Sequence, residues 1–503
     1  MPKLPSSIPL GAVQLDSDSS IPLYRQLYKA LRRAILSGQL TAGTQLPSTR
    51  LLMQELLVSR NTVINAFEQL IAEGYLEGKS GSGTFVCQVL PDDLFQVDIP
   101  SVKPKQSSPK SRAKPSDLSQ RGAKLAKAST VLRSSELTSQ AFRPGLPALD
   151  AFPFKLWERL IIRHWRNASP EYLGYSQSAG YPPLREAIAT YLRAARGVTC
   201  QASQVIIVAG AQQAIDLAAR VLLDPGDAAW LEDPGYLGAR GALQGAGVQV
   251  VPVPVDQEGL QLEAGLAKAP HPRMVYISPS HQYPLGVTMS LTRRLALLRW
   301  AAQAKAWILE DDYDSEFRYV GRPLAALQGL DEAGRVIYVG TFSKVLYPGL
   351  RLGYVVVPPD LVDAFSAALA LSNRCHAWLE QAVLTDFMNE GHFARHLRRM
   401  RTLYNERRLA LIAAINAQLT DWLKIEATEA GMHLVGRLAL GVDDQYVAQQ
   451  LAKAGIEAPA LSSYAFMPLA RGGLMLGYAG TDVGTIQAGI RQMANVFQMR
   501  LGG

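Results

Sequence analysis

Short apolar runs alternate with helical stretches between residues 205 and 357. This alternation predicts an α/β fold, in which a mostly parallel sheet is covered by helices on both faces. Ligands bind such sheets beyond the carboxyl ends of the strands, so polar residues at those ends are the first candidates for a functional site. The expected strands lie at 205–210, 228–233, 248–255, 274–278, 307–310, 336–339 and 353–357.

The length of 503 residues is too great for one ordinary domain, and we therefore expect a multidomain protein. The sequence begins with a Pro- and Ser-rich segment and continues with helical patterns. A basic, polar segment follows, and the α/β pattern occupies the rest of the chain. The expected divisions are a flexible N-terminus at 1–20, a mainly α domain at 21–87, a basic flexible linker at 88–138 and an α/β domain at 139–503, with a large lobe to about residue 360 and a smaller lobe at about 361–503.

The expected linker, residues 88–138, is rich in Pro, Ser, Lys and Arg and has few apolar groups with which to fold. Its positive charge either only keeps a tether solvated or lets the segment follow the phosphates of a polyanion. Composition leaves both interpretations open.

Residues 21–87 contain three helical patterns followed by a hairpin pattern. Ser48 and Ser59 are placed to cap the second and third helices. Leu51 and Ile71 are assigned to the inward-facing stripes of those helices. The run YLEGKSGSGTFV predicts two short strands joined by a Gly/Ser tip. This order of elements predicts a winged helix-turn-helix.

The exposed start of the third helix is expected to meet DNA, because its polar side chains can reach base edges or phosphates. An arginine on the second helix would add contacts to the DNA backbone. A basic wing tip with little steric bulk would add others. The alternative is a small helical protein-binding domain with an ordinary polar face. The candidate DNA contacts are Arg50, Ser59, Arg60, Asn61, Thr62, Lys79 and Gly81.

The run LPSTRLLMQELLVSRNTVINAFEQLIAEGYLEGKSGSGTFV resembles the GntR family of bacterial regulators across the whole module. The resemblance implies that the partner of this domain is double-stranded operator DNA.

Two hydroxyls, a lysine and an arginine follow the strand expected at 336–339. Thr341, Ser343 and Lys344 come directly after it, and Arg351 comes one short loop later. A lysine amine that is kept neutral can form a Schiff base, and hydroxyls with a guanidinium can hold a phosphate. The group therefore suits a phosphorylated ligand that carries an aldehyde. The alternative for a lone lysine is a basic surface turn.

Other strand ends supply matching groups. A glycine and two further residues open the helix at 210–212, where backbone N–H groups make an anion site. A carboxylate of Asp311 or Asp312 could pair with a ring nitrogen and Tyr236 could stack on a flat ring, although alone they could be a solvated strand end and a core residue. Together these groups predict pyridoxal phosphate. The predicted contacts are Gly210, Ala211, Gln212, Tyr236, Asp311, Thr341, Ser343, Lys344 and Arg351.

From about Phe142 to the C-terminus the chain resembles the fold-type-I aminotransferase family, a pyridoxal-phosphate-dependent transferase fold. The resemblance implies that Lys344 carries the Schiff base, that Asp311 pairs with the ring nitrogen and that Tyr313 bonds the 3′-oxygen. It also implies that Tyr175 reaches the phosphate of the neighbouring subunit, which would make the site a feature of a dimer.

Two departures from that family's pattern stand out. Its Asn-Pro-x-Gly segment is YPLG here, at 283–286. The asparagine that touches the ring oxygen in that family is therefore absent. His281, two residues before this segment, is added to the candidate cofactor contacts. Met475 occupies the place of the arginine that binds the substrate α-carboxylate, and Arg471 is the candidate effector-binding substitute. The cofactor site is thus better supported than a standard amino-acid substrate site.

One chain with both modules resembles the MocR subfamily of GntR regulators, with its GabR-like and PdxR-like members. The segments SPSHQYPLG, EDDYDSEFRY and TFSKVLYPGLRLGY carry this resemblance. It implies a cytoplasmic, head-to-tail homodimer in which pyridoxal phosphate, alone or with an amine or amino-acid effector, alters DNA binding.

Three functions are compatible with the sequence. The first is a pyridoxal-phosphate-dependent transcriptional regulator, with at most residual transaminase activity. The second is a working aminotransferase with an accessory DNA-binding module, against which Met475 counts. The third is a DNA-binding protein whose α/β domain is only a scaffold. The residues that argue against the third are Asp311, Tyr313, Lys344 and Arg351.

Composition argues against several other classes. The net charge of +8 permits a polyanionic partner without requiring one. The three scattered cysteines show no metal-ligand spacing, so we expect free thiols and no metal site. The N-terminus lacks the apolar core of a signal peptide, and no run is long enough to span a bilayer. We therefore expect a cytoplasmic protein that does not contact membranes.

Overall fold

The computed structural model describes residues 15–16, 18–79, 82–90, 118–119, 121–123, 125–126, 141–321, 325–426 and 429–501. The chain divides into two compact units, Met1–Lys114 and Pro115–Gly503. Each unit has a buried apolar core of its own. The division falls inside the segment that was predicted to be a linker.

The described part of the first unit has the order of elements expected of a winged helix-turn-helix. Its two strands pair antiparallel. Gly81, at the predicted wing tip, lies outside the described residues. The elements are α1 (Leu23–Leu36), α2 (Thr49–Glu55), α3 (Arg60–Ala72), β1 (Leu76–Lys79) and β2 (Gly83–Val86).

Serine side chains cap both helices of the helix-turn-helix. The Ser48 hydroxyl accepts a hydrogen bond from the Leu51 backbone N–H at 3.3 Å. The Ser59 hydroxyl accepts one from the Thr62 N–H at 3.1 Å. Each cap satisfies a backbone donor that the start of a helix leaves unpaired, as predicted.

Two side chains that were assigned to the interior of this unit face outward instead. Leu51 is 40% exposed and Ile71 is 43% exposed. Their neighbours Leu52 and Leu70 are buried. Because adjacent residues of a helix lie about 100° apart around its axis, Leu51 and Ile71 fall outside the narrow stripes that α2 and α3 bury.

An eight-stranded sheet forms the centre of the second unit. Its strands are β3 (Val205–Val208), β4 (Ala228–Asp233), β5 (Gln249–Asp256), β6 (Gly259–Leu260), β7 (Met274–Ile277), β8 (Trp307–Asp312), β9 (Val336–Thr341) and β10 (Gly353–Val356). The spatial order is β3-β10-β9-β8-β7-β4-β5-β6. The pairs from β9 through β8, β7 and β4 to β5 are parallel, as predicted. Strand β10 runs antiparallel to both β3 and β9.

Apolar side chains cover both faces of this sheet. Neighbouring residues of one strand enter different buried clusters: Ile206 and Ile337 lie in one, and Ile207 and Tyr338 lie in another. Burial on both faces explains why the strands are continuous apolar runs. The helices of this unit are α4 (Phe154–Arg166), α5 (Pro170–Leu173), α6 (Pro182–Arg196), α7 (Ala211–Leu222), α8 (Leu237–Gly245), α9 (Leu262–Lys268), α10 (Leu291–Ala304), α11 (Val362–Asn373), α12 (Trp378–Asn389), α13 (His392–Gln418), α14 (Asp444–Lys453) and α15 (Val483–Leu501).

A smaller antiparallel sheet lies in the C-terminal part of the second unit. Its strands, in spatial order, are β11 (Lys424–Glu426), β12 (His433–Arg437) and β13 (Gly473–Gly477). The lobe boundary expected near residue 360 is too early, because Phe365 of α11 packs in the same apolar cluster as Val208 and Ile337 of the large sheet. A helical pattern alone does not say which sheet its apolar face covers.

Part of the expected flexible linker is helical, at residues 121–123 and 125–126. A Cβ on Gly245 would come within 2.5 Å of Leu125 Cδ2, so Leu125 lies against α8. These residues thus have helical structure within the expected tether, although Leu125 is still 45% exposed, and the flexible linker as a whole stays a prediction. Residues 1–14 and 17 of the expected flexible N-terminus lie outside the described residues.

None of the helices in the described ranges is long and apolar enough to cross a membrane. Within the same ranges, no three His, Cys, Asp or Glu side chains are grouped so that they could hold a metal ion. Cys87, Cys200 and Cys375 are free thiols.

Candidate functional site

A cavity of about 250 Å³ lies in the second unit, beyond the carboxyl ends of its central strands. Of the predicted cofactor contacts, all but His281 and Tyr175 line it. The lining residues are Pro144, Gly145, Gly210, Ala211, Gln212, Tyr236, Tyr276, Tyr283, Asp311, Tyr313, Asp314, Thr341, Ser343, Lys344, Pro348, Arg351, Met432 and His433.

Lys344 enters the cavity from the loop after β9. Its Nζ donates a hydrogen bond to the backbone carbonyl of Gly145 at 2.9 Å. Burial lowers the pKa of Lys344, and the carboxyls of Asp314 and Asp311 oppose that shift. A lowered pKa favours the neutral amine that nucleophilic attack on a carbonyl requires. Lys344 is therefore not part of a basic surface turn.

The Asp311 carboxyl lies buried near the end of β8. Its Oδ2 accepts a hydrogen bond from the Tyr276 hydroxyl at 2.6 Å. Among the described residues, Oδ1 has no hydrogen-bond partner. Burial raises the pKa of Asp311 to about 7. An acid in this setting suits a positively charged ring nitrogen, since a buried carboxylate is costly unless it is paired.

The neighbouring Asp312 has a different role. It is buried and pairs with Arg196 at 2.7 Å. It also accepts a hydrogen bond from the Tyr338 hydroxyl at 2.5 Å. Neither aspartate is a solvated strand end, and Asp312 holds elements of the large lobe together.

Gly210, Thr341, Ser343 and Arg351 surround one end of the cavity. Gly210 has a φ of +108°, which side chains rarely adopt. A Cβ there would lie 3.8 Å from Arg351 Nη1 and 3.9 Å from the hydroxyls of Ser343 and Thr341. Helix α7 begins at the next residue, and the first N–H groups of a helix lack intrahelical acceptors. Hydroxyls, a guanidinium and a helix N-terminus together match a phosphate.

Tyr236 lines the cavity from the turn before α8. Its hydroxyl donates to Gln212 Oε1 at 3.3 Å, and Gln212 Nε2 donates to the Gly238 carbonyl at 2.9 Å. A Cβ on Gly238 would come within 2.4 Å of Tyr236 Cζ, so only glycine fits beside the ring. Gln212 thus fixes the position of Tyr236 through its side chain.

His281 lies behind the cavity and connects to it through two lining residues. Its Nδ1 is 3.0 Å from the Tyr313 hydroxyl and 3.2 Å from Asp314 Oδ1. His281 was predicted as a direct cofactor contact, but it is not among the lining residues. Its place fits a residue that orients Tyr313 and Asp314.

Tyr175 lies apart from this cavity and is 78% exposed. The Arg374 guanidinium lies over its ring, 4.3 Å from the ring centroid. Tyr175 lines a second, open cavity together with Trp165, His376 and Trp378. Exposure is compatible with contact to a second subunit, and the contact to a neighbour's phosphate stays a prediction.

Arg471 does not line the cavity. Its Nε donates to the Leu438 carbonyl, so its side chain is held elsewhere in the small lobe. The expectation that Arg471 replaces the missing carboxylate-binding arginine therefore lacks support. A residue four positions away in sequence does not share the strand position of Met475.

Met475 is fully buried on β13 and pairs with Val435 of β12. Alternate residues of a strand share a face, and so do cross-strand partners. Met475 therefore lies on the same sheet face as His433, which lines the cavity. This face presents a thioether at the position that the family resemblance assigns to an arginine.

Several lining residues were not anticipated from the sequence. Tyr276 could have been found, because a phenol in an otherwise apolar strand needs a polar partner. Gly145 and His433 come from segments far from Lys344 in the chain, and no local pattern marks them. Asp314 lies within a segment that was quoted for its resemblance, but it was given no role.

The residues around the cavity fit pyridoxal phosphate. A lysine of lowered pKa faces a cavity that also holds a buried acid with an unpartnered oxygen, a tyrosine ring and a phosphate-shaped cradle. These groups match the aldehyde, the ring nitrogen, the ring face and the phosphate of that cofactor. Such a site can hold a cofactor and an amine that reacts with it.

In the first unit, Arg50, Arg60 and Asn61 are exposed at the starts of α2 and α3. The Ser59 and Thr62 hydroxyls lie 2.8 Å from each other, so both take part in the cap of α3. Arg60 and Asn61 are therefore the side chains of this turn that are most free to reach bases.

The wing residue Lys79 is exposed but already has partners. Its Nζ lies 3.1 Å from Glu77 and 5.2 Å from the centroid of the Phe85 ring. The pairing reduces the positive charge that the described part of the wing can offer to a phosphate. Lys79 stays a predicted DNA contact, with a weaker electrostatic argument than Arg50.

Comparisons with known proteins agree with both units. Residues 150–491 match the family described as aminotransferase class I and II. Residues 23–86 match the gntR family of bacterial regulatory proteins.

Two curated relatives are similar to this chain over nearly its whole length, which includes both matched regions. The probable rhizopine catabolism regulatory protein MocR of Rhizobium meliloti is 45% identical over 484 residues, which are 96% of this chain and 95% of that protein. The pyridoxine biosynthesis transcriptional regulator PdxR of Corynebacterium glutamicum is 31% identical over 470 residues, 93% of this chain and 94% of its own.

Among solved structures, the α-aminoadipate aminotransferase LysN of Thermus thermophilus is similar to the second unit, with a TM-score of 0.68 and 28% identity. The match covers 75% of this chain and 97% of LysN, which was crystallised with N-(5′-phosphopyridoxyl)-L-leucine.

Proposed function

The chain belongs to the MocR subfamily of GntR-type transcriptional regulators, and from that premise we propose that an amine effector bound at the Lys344 site changes how the protein holds its operator. The protein is a DNA-binding transcriptional regulator whose aminotransferase-like domain takes pyridoxal phosphate. The observation that carries the proposal is the complete set of cofactor-matching side chains around Lys344 in a chain that also holds a GntR module.

When bound, pyridoxal phosphate supplies an aldehyde that reacts reversibly with amines and a ring that accepts electrons. Lys344 would bind that aldehyde, and the Gly145 carbonyl would orient its Nζ. Asp311 would hold a proton on the ring nitrogen, and the Tyr276 hydroxyl keeps the Asp311 carboxyl in place. Tyr236, fixed by Gln212, would cover the ring.

On the DNA side we propose that the start of α3 reads the operator. Arg60 and Asn61 would contact base edges in the major groove, whereas Arg50 and Lys79 would contact the backbone. Ser59 and Thr62 would act chiefly by fixing the start of the helix.

We propose that the working form is a head-to-tail homodimer. Tyr175 would then complete the phosphate site of the partner subunit, and its exposure supports such a role. An effector can change DNA binding only if it binds two arrangements of the dimer with different affinity.

A second candidate function is transamination, which the intact Lys344 and Asp311 environment favours. Met475 counts against it, because an amino-acid substrate needs a cation for its carboxylate. Turnover of an amino donor with a keto acid at about 1–1000 per second would favour this enzyme function.

The test is a footprint on the DNA upstream of the protein's own gene. It compares protein without cofactor, with pyridoxal phosphate, and with pyridoxal phosphate plus an amine. We expect protection that changes when the amine is added. Lys344→Ala should still protect the DNA but should lose both the absorption band of lysine-bound cofactor and the response to the amine.

Lys424→Ala, which removes an exposed lysine of the small lobe, is the matched control and should behave as wild type. The absence of protection under all conditions would overturn the regulator function. A full amine response in Lys344→Ala would overturn the role of this lysine.

A further inference from the structure

Asp314 is a buried acid to which the cofactor site gives no role. It is 1% exposed and lines the Lys344 cavity. Among the described residues, neither of its carboxylate oxygens accepts a hydrogen bond. Behind it, His281 Nδ1 lies 3.2 Å from Oδ1, whereas Oδ2 has no hydrogen-bond partner among the described residues. A buried carboxylate is costly unless it is paired, so Oδ2 suits a donor or a cation brought by a ligand.

The other charged groups of the cavity already have a match in the cofactor. Arg351, with the hydroxyls beside it, matches the phosphate, and Asp311 matches the ring nitrogen. Asp314 lies three residues beyond Asp311, at the same end of the sheet but outside that set. It is therefore available to a second molecule bound beside the cofactor.

The described residues that line the cavity offer a carboxylate no cation beyond those that match the cofactor. Among its described lining residues, the basic ones are Lys344, Arg351 and His433. Burial lowers the pKa of His433 to about 4, so this imidazole is neutral at pH 7. Met475 makes the adjoining face apolar. If Lys344 and Arg351 bind the cofactor, none of the described lining residues is left to offer a positive charge to an effector.

We propose that Asp314 selects the effector, and that the effector is a primary amine that carries a second ammonium or hydroxyl group and no carboxylate. This inference rests on the proposed function, because it concerns what binds at the same site. One amino group of the effector would lie near Lys344, and the second group would donate to Asp314. A carboxylate would meet the like charge of Asp314 without a compensating arginine, which disfavours ordinary amino acids.

The test uses a matched series of three-carbon amines: 1,3-diaminopropane, 3-aminopropan-1-ol, propan-1-amine and 3-aminopropanoate. Calorimetry on the full-length protein loaded with pyridoxal phosphate measures the affinity for each amine. We expect affinity to fall in the order given, with the diamine roughly 10- to 100-fold tighter than propan-1-amine, the range typical of a hydrogen bond to a charged group. Tighter binding of 3-aminopropanoate than of the diamine would overturn the proposal.

Two variants test the residues separately. Asp314→Asn should remove the preference for the diamine over propan-1-amine, while Met475→Arg should raise the affinity for 3-aminopropanoate alone. Asp421→Asn, which neutralises an exposed aspartate of the small lobe, is the matched control and should keep the wild-type order. If Asp314→Asn weakened all four amines equally, Asp314 would be a structural residue and the selection would be refuted.

The cofactor absorption band and the operator footprint are recorded for each variant. If the wild-type protein binds both the cofactor and the operator but binds the amines in a different order of affinity, only the selection by Asp314 is refuted. Loss of cofactor binding or DNA binding in the wild type refutes the proposed function instead. Should Asp314→Asn fail to bind cofactor, the wild-type series decides, because equal affinities for 1,3-diaminopropane and propan-1-amine refute the selection.

Discussion

At the scale of single residues, the cofactor site depends on a few groups that burial moves away from their ordinary ionisation. Burial lowers the pKa of Lys344 and raises the pKa of Asp311 to about 7. These directions are opposite because burial disfavours the charged form of each group. The protein therefore offers an amine that gives up its proton more readily than a free lysine does, and an acid that can share a proton with a ring nitrogen.

Asp311→Asn should change the stability of the cofactor-free protein and its cofactor affinity in opposite directions. The folded-state pKa of about 7 lies above the ordinary value of 3.8, so the folded protein holds an extra proton between those pH values. This contribution to stability is complete below about pH 4 and is lost as the pH rises through about 7. The variant should therefore gain melting temperature relative to wild type between about pH 5 and pH 8.

The same variant should bind pyridoxal phosphate roughly tenfold or more weakly, because the ring nitrogen loses its charged partner. Burial also raises the pKa of Glu232, Glu310 and Glu316 to about 7, so the pH dependence should become shallower without vanishing. Thermal melts and cofactor titrations measure the two effects. Melting curves parallel to wild type with undiminished cofactor affinity would contradict the role of Asp311.

At the scale of elements, the starts of two helices, α3 and α7, are the proposed binding positions of the two units. In α3 the Ser59 cap satisfies the Thr62 N–H, and the neighbouring Arg60 and Asn61 side chains are exposed. In α7 the residue before the helix is Gly210, which has no side chain to cap it. The uncapped N–H groups of α7 are then free to hold a phosphate.

Arg60→Ala should weaken operator binding roughly 10- to 100-fold and reduce discrimination against non-specific DNA, because a contact to a base edge carries sequence information. Lys103→Ala removes the same charge from the linker segment, outside the described residues, and should cause a small loss that is equal for all sequences. Titrations with operator and scrambled DNA at several salt concentrations measure both. Equal, small losses would show that α3 does not read the operator.

At the scale of the whole molecule, the prediction concerns two copies of the chain. Tyr175 is exposed and does not line the cavity of its own subunit. If it completes the partner's site, Tyr175→Ala and Lys344→Ala should each abolish or weaken both sites of a homodimer. A mixed dimer of the two variants should regain one intact site, since one subunit supplies Lys344 and the other supplies Tyr175.

The variants are refolded together and the mixed dimer is isolated, and recovery is measured as tight pyridoxal phosphate binding at about half of the wild-type capacity. Tyr446→Ala, which removes a partly exposed tyrosine of α14, replaces Tyr175→Ala in the control mixture. That control also leaves one site intact, so it sets the expected capacity. An unchanged affinity in the Tyr175→Ala homodimer would rule out the shared site.

The sequence by itself determined the main elements and predicted the chemistry of the cofactor site, because local patterns encode both. Apolar runs indicated the central strands, serines indicated the starts of α2 and α3, and the residues after β9 indicated the candidate cofactor lysine. The GntR and aminotransferase-like modules were likewise identified from contiguous sequence motifs. These features depend on neighbours in the chain, which a sequence displays directly.

Only the tertiary structure decided which distant residues meet. It inserted the antiparallel strand β10 into the sheet, packed α11 on the large lobe and brought Gly145 to Lys344. It also turned Arg471 away from the cavity and left Asp314 inside it. The physical reason is that packing between segments far apart in the chain sets these contacts, and no local periodicity records it.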